Sequence, residues 1–188
     1  RIVVTYEGVD EKVKSQKSKV KSEKPLIIDP YFLYVGNAYP HKNLETLLRA
    51  FQQNTTKLVL VGKIDFFYER LKKNIVNRNV IFFGQANDEQ LINLYAHASA
   101  LVFPSLMEGF GLPALEALSF GCPVIVSDIP VFHEILGEQA TYFNPRDPSD
   151  LNVKLTSALR APRERVALGK YSWSLLASKT LSIYENIC

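Results

Sequence analysis

Short runs of consecutive apolar residues alternate along most of this chain with segments whose apolar positions recur at helical spacing. The runs at 31–35, 57–61, 79–83 and 100–103, each followed directly by glycine or proline, and those at 123–126 and 141–143 all have strand length. Between them, helical spacing predicts helices near 43–53, 65–76, 88–97, 113–120 and 131–136, and after them helices near 148–160, 162–169 and 172–186. In the first of these helices Leu44, Leu47, Leu48 and Phe51 fall on one face. Asn43 and Asp88 are the expected N-caps of the helices they open.

Strands that are apolar throughout, rather than at alternate positions, must be covered on both faces. That calls for a parallel sheet between two helix layers. The predicted fold is therefore α/β: a doubly wound, mostly parallel, six-stranded Rossmann-like sheet. Ligands of such sheets bind outside the carboxyl ends of the strands. Gly36, Gly62, Gly84 and the loop after Phe103 all fall on that edge. Tyr31, Phe32, Tyr34 and Trp173 read as packing residues.

Composition agrees with a globular chain, at 47% hydrophobic and 22% charged residues. No apolar run approaches the roughly 18 residues a membrane span needs. The formal charge of +3 resides in residues 10–24, where six lysines stand against Asp10, Glu11 and Glu23. The remainder is balanced, so no basic face points to nucleic acid. The tract reads as a solvated linker, with electrostatic contact to an anionic membrane surface or a partner as the other reading. Cys122 and Cys188 form no disulfide or metal framework and are expected to stay reduced, as in the cytosol. His41, His97 and His133 lack metal-ligand spacing. Residue 1 is Arg and a strand-like run follows it, so the chain is expected to be a piece of a longer protein.

The most informative stretch is 108–116, in which Glu108 and Glu116 flank Gly109-Phe-Gly111 at the mouth of a helix opening near Leu112 and Pro113. Free N–H groups at a helix start attract an anion, and the glycines let a ligand approach the main chain. Two carboxylates beside such a nest are poor partners for phosphate but good acceptors for hydroxyls, which suits a sugar phosphate or nucleotide. The residues alone equally allow ordinary turn geometry with two solvated acids. A second stretch, Gly36-Asn37-Ala-Tyr-Pro-His41-Lys42-Asn43, faces the same edge, and Lys42 could reach a diphosphate there. Lys63, Gly84 and Gln85 lie on that edge too. Phe110 either covers a sugar or anchors its loop. Ser127-Asp128 and His133-Glu134 are explained by a helix boundary.

The segment 103–128, with its Glu-Gly-Phe-Gly-Leu-Pro-Ala-Leu-Glu core, resembles the signature of group 1 retaining glycosyltransferases, enzymes with two Rossmann-like halves facing a cleft (GT-B architecture). Residues 34–45 resemble that family's phosphate loop, Tyr6-Glu-Gly-Val-Asp10 the end of its first half, and Tyr171-Ser-Trp173 with the closing helix its C-terminal end. The resemblance spans nearly the whole chain.

It implies the C-terminal, donor-binding half. Residues 1–10 would end the first half or form a linker strand, 11–25 would be a flexible Lys-rich interdomain linker, and 26–188 would bind the nucleotide sugar. The resemblance further implies Glu108 and Lys42 as catalytic residues, Glu108 meeting the transferred sugar and Lys42 neutralising the diphosphate. Glu116 would hold ribose hydroxyls, Gly109, Phe110, Gly111 and Leu112 would contact sugar and phosphate, and Gly84 and Gln85 would line the base. Gly36, Asn37 and Lys63 complete the set. Asn37 stands where many members carry arginine, which shifts the phosphate clamp towards Lys42 or Lys63.

The implied donor is a GDP- or UDP-linked hexose, mannose being the weak preference, with retention at the anomeric carbon and no essential metal or other cofactor. The acceptor, a glycan or lipid-linked sugar, would sit mainly on the other half, absent from this chain, so the fragment alone should be inactive. A bacterial surface-polysaccharide or glycolipid role follows from the resemblance. A cytoplasmic location is also expected, with peripheral contact at the inner face of the plasma membrane in the intact protein. A nucleotide-sugar hydrolase or epimerase, and a non-catalytic nucleotide-sugar-binding module, are the competing readings.

Overall fold

The computed structural model describes residues 5–8, 24–52, 54–73, 75–160, 163 and 169–185. The expectations for residues 1–4, for most of the lysine tract, for nearly all of the helix at 162–169 and for Cys188 lie outside the described residues.

Six strands form one sheet: β1 (Tyr31–Val35), β2 (Lys57–Val61), β3 (Val80–Gly84), β4 (Ala100–Phe103), β5 (Val124–Ser127) and β6 (Thr141–Phe143). Every pairing is parallel, and the spatial order is β3-β2-β1-β4-β5-β6. The helices are α1 (Leu44–Ala50), α2 (Phe66–Lys73), α3 (Asp88–His97), α4 (Leu112–Ser119), α5 (Pro130–Leu136), α6 (Pro148–Ala158) and α7 (Trp173–Glu185). This is the doubly wound Rossmann-like fold that the apolar runs predict. β1, flanked by β2 and β4, is where the strand order reverses, so the crevice of the fold lies between the C-terminal ends of β1 and β4.

The central strands are buried on both faces, which is why they read as unbroken apolar runs. Phe32 and Phe51 meet edge to face at 5.7 Å between sheet and helix layer. Buried tyrosines each find an acceptor: Tyr31 Oη donates to the Leu94 carbonyl at 2.7 Å, and Tyr171 Oη to that of Ile135 at 2.6 Å. An unpaired buried hydroxyl would cost about 1–3 kcal/mol.

Four local expectations need correction. β5 begins at Val124, not Pro123: proline brings no N–H, but its carbonyl accepts from Leu101 N–H at 2.8 Å. The N-cap of α3 is Asn87, not Asp88. Asn87 Oδ1 accepts from Gln90 N–H at 2.9 Å while Gln90 Oε1 accepts from Asn87 N–H at 3.0 Å, a reciprocal capping box. Asn43 occupies the N-cap position of α1 but makes no side-chain cap bond. Trp173 is 45% exposed at the start of α7, so it is not a core residue.

Candidate active site at the β1–β4 crevice

Two loops leave the switch point. After β1 the chain turns through a short 3-10 segment, Pro40–Lys42, into α1; after β4 it runs through Ser105 and Glu108 into α4. Lys42 Nζ lies 2.6 Å from Glu108 Oε1, and Ser105 Oγ donates to the same oxygen at 2.6 Å. The Lys42 and Glu108 side chains are only 14% and 9% exposed. The ammonium also stands 5.5 Å from the centroid of the Phe103 ring. A cation and an acid are thus held together at the carboxyl edge.

The main chain beside them is bare on one side. Gly111 has φ 91°, and a Cβ there would lie 2.8 Å from Cε1 of the buried Phe132, so both conformation and space demand glycine. At Gly109 a Cβ would meet nothing within 4 Å. Gly109 therefore owes its identity to no protein neighbour, and its backbone is open to a ligand. α4 then opens with Leu112 and with Pro113, whose missing N–H is harmless in a first turn. The first turn leaves backbone N–H groups without helical partners, and the helix dipole favours an anion near them.

These groups line a cavity of about 630 Å³. Its wall includes Gly36, Asn37, Lys42, Glu108, Gly109, Phe110, Gly111 and Leu112, so most of the sequence-derived candidates come together. Glu116, Lys63, Gly84 and Gln85 do not line it. Glu116 is half-buried on α4 and accepts a hydrogen bond from Tyr95 Oη at 2.9 Å. Burial pushes the Tyr95 hydroxyl well up, and the Glu116 carboxylate adds to the shift, so Tyr95 remains a neutral donor at ordinary pH. Lys63 and Gln85 are exposed further along the same edge. There Gly36 N–H donates to the Val61 carbonyl and Gly62 N–H to the Gly84 carbonyl, both at 2.9 Å. Gly84 thus lies two strand positions from β1, on the order of 10 Å at ordinary strand spacing. An extended nucleotide-sized ligand spans that distance.

One wall of the cavity is not evident from the sequence. Tyr6 Oη donates to Glu134 Oε1 at 3.1 Å, and Thr5, Tyr6, Glu7 and Glu134 all line the cavity. The Glu134 carboxylate raises the pKa of the Tyr6 hydroxyl above its ordinary value, chiefly through that hydrogen bond. Tyr6, Phe110 and Tyr171 form a ring cluster, with centroids 6.3, 5.8 and 5.7 Å apart. Phe110 therefore anchors its loop against residues 6 and 171. The signal was present in the aromatic Tyr6 before Gly8, but linking it to Glu134 requires a contact across 128 positions. His133 does not line the cavity; it is paired with Asp128 at 2.6 Å and stacked on Tyr142. Among the described residues no group of three or more His, Cys, Asp or Glu is arranged to hold a metal, and no helix is long and apolar enough to cross a membrane.

The doubly wound parallel sheet, with a cation, an acid and a glycine-bared helix start at its switch point, matches one Rossmann-like half of a GT-B fold. The chain belongs to the family "Glycosyl transferases group 1", whose sequence profile matches residues 13–173. It is 36% identical over 154 residues to the O-antigen chain mannosyltransferase RfbU of Salmonella typhimurium, covering 78% of this chain and 41% of that protein. It is 30% identical over 173 residues to O-antigen chain mannosyltransferase B of Escherichia coli, covering 82% of this chain and 45% of that one. Among solved structures, sucrose-phosphate synthase from Thermosynechococcus elongatus superposes with a TM-score of 0.76 at 27% identity, over 97% of this chain and 49% of that one. The chain spans less than half the length of these relatives.

Proposed function

We propose that this chain is the donor-binding half of a retaining hexosyltransferase, with mannose from a nucleoside-diphosphate sugar as the favoured group transferred. The observation that carries the reading is the Lys42–Glu108 pair beside the bare Gly109 backbone at the switch point. The mannosyltransferase names of two relatives support the sugar, and the family supports the reaction class.

In this reading the donor diphosphate enters at the start of α4 and draws the Lys42 ammonium from Glu108 onto its oxygens. Glu108, released, accepts hydrogen bonds from the sugar's hydroxyls, while the backbone from Gly109 to Leu112 holds sugar and phosphate. The bond between the anomeric carbon and the diphosphate oxygen breaks, and that oxygen's growing charge is met by Lys42 and the helix-start N–H groups. This is stabilisation by fixed charges and dipoles. The acceptor hydroxyl oxygen bonds to the anomeric carbon on the face the diphosphate leaves, and its proton passes to the departing diphosphate. Configuration is retained. Glu116 holds the ribose hydroxyls, Gly84 and Gln85 border the base, and Asn37 and Lys63 flank the phosphates.

Residues 1–10 and the tract at 11–25 would connect this half to the one that binds a glycan or lipid-linked acceptor. The intact protein would work in the cytoplasm, touching the membrane peripherally. Titration of the chain with GDP, UDP, GDP-mannose and UDP-glucose by calorimetry tests the donor reading, and saturable binding of at least one is expected. No binding of any of them overturns it. With the other half restored, release of the hexose only as free sugar in the presence of acceptors would identify a hydrolase instead.

A further inference from the structure

We propose that Asn43 is the positioning residue of this site: its side-chain amide ties together the loops after β1, β4 and β6 and thereby sets where the Lys42 ammonium is delivered. The inference rests on the donor reading for its ligand. Asn43 is the only non-glycine with positive φ among the described residues, at φ 55° and ψ 36°. Glycine would adopt those angles with less strain. The backbone alone therefore does not call for asparagine, and what asparagine adds is the amide.

Both donors of that amide are used, and its oxygen has a partner. Nδ2 donates to the Pro104 carbonyl at 3.0 Å and to the Pro145 carbonyl at 2.8 Å, while Oδ1 accepts from Thr46 Oγ1 at 2.8 Å. Pro104 directly follows β4, and Pro145 lies two residues after the end of β6. One position earlier than Lys42, the His41 carbonyl accepts from Leu106 N–H at 2.7 Å. Lys42 is thus held on both sides by bonds to the loop that carries Ser105 and Glu108. A lysine has a long flexible stem, so its useful reach depends on where its backbone is pinned.

The test is a cycle of substitutions read by nucleoside-diphosphate titration, with folding checked by circular dichroism. Asn43→Gly keeps the left-handed backbone and removes the amide. It is expected to weaken GDP or UDP binding tenfold or more, and to change it less than twofold once Lys42→Ala is present. A loss of equal size in the Lys42→Ala background, or no loss at all, overturns the proposal. Asn43→Asp keeps the side-chain size and the Thr46 contact but removes both donors, and should behave as Asn43→Gly does. Hydrogen exchange at the Leu106 amide supplies a readout that needs no nucleotide. Faster exchange in both variants is expected, and unchanged exchange overturns the tie between the loops. If the unmodified chain binds no nucleoside diphosphate, the donor reading fails, and Leu106 exchange still decides whether Asn43 joins the loops.

Discussion

The Lys42 ammonium and the Glu108 carboxylate meet at 2.6 Å across 66 residues of sequence, both largely withdrawn from water. Charges so placed are costly to leave alone. Removing one partner of a buried pair costs about 3–5 kcal/mol, chiefly through the charge left behind. Lys42→Ala is therefore expected to lower stability by about 3 kcal/mol in denaturant titration. Lys42→Met paired with Glu108→Leu should recover most of that loss while abolishing nucleoside-diphosphate binding. A double variant as unstable as the single one would contradict the account of the pair.

The two glycines of the 109–111 turn should separate cleanly. Gly111→Ala meets both a left-handed backbone and Phe132, at an expected cost of about 2 kcal/mol or more. Gly109→Ala meets no neighbour and should leave the stability within the spread of surface substitutions, about 0.5 kcal/mol. If a ligand lies on that backbone, Gly109→Ala nonetheless weakens its binding. Calorimetry and thermal melts on the same samples decide between them.

Glu116 and Glu108 should differ by ligand rather than by magnitude alone. Glu116→Ala is expected to weaken binding of a nucleoside diphosphate without sugar more than Glu108→Ala does. Glu108 should matter most when a hexose is attached. Equal losses with the bare nucleotide would remove the ribose assignment from Glu116.

Alkaline pH should loosen the fold in a defined direction. Burial pushes the Cys122 thiol up to about 12, and burial likewise raises Tyr31, Tyr34, Tyr68 and Tyr95. Each group is neutral in the folded chain at pH values where it ionises in the unfolded one. Their stabilising contribution is full below about pH 8.5 and falls as pH rises towards 12. Equilibrium unfolding at pH 8 and pH 10.5 should show the decline. Peptide mapping after alkylation at pH 8.5 should find Cys122 unmodified until denaturant is added.

The sheet was legible because each central strand is buried on both faces and so reads as a nearly unbroken apolar run. Lys42, Glu108 and the Gly109–Gly111 turn were legible for a related reason: parallel strands deliver the loops after β1 and β4 to one edge wherever those loops begin. Side-chain choices among competing local partners were not. Asp88 and Asn87 are both good caps, and only Gln90 reaching back identifies Asn87. Asn43 has the chemistry of a cap but spends it on Pro104 and Pro145, partners that only the tertiary fold brings near. Glu134 looked like an ordinary helix acid until Tyr6 arrived from the far end of the chain. Trp173 has a core residue's chemistry, yet α7 has no buried residue among those described.

The ring cluster of Tyr6, Phe110 and Tyr171 makes one side of the cavity depend on residues far apart in sequence. Phe110 belongs to the loop that carries the glycines, but its ring rests on two side chains outside the sheet and its connecting helices. Residues 5–8 reach the sheet through the main chain only by way of residues 9–23, and Gly8 lies so close to the Ser172–Trp173 backbone that a Cβ there would come 2.2 Å from Trp173 N. Loss of residues 5–8 would remove no strand of the six-stranded sheet and still take away one side of the site. The fold and the site thus have different minimum lengths of chain.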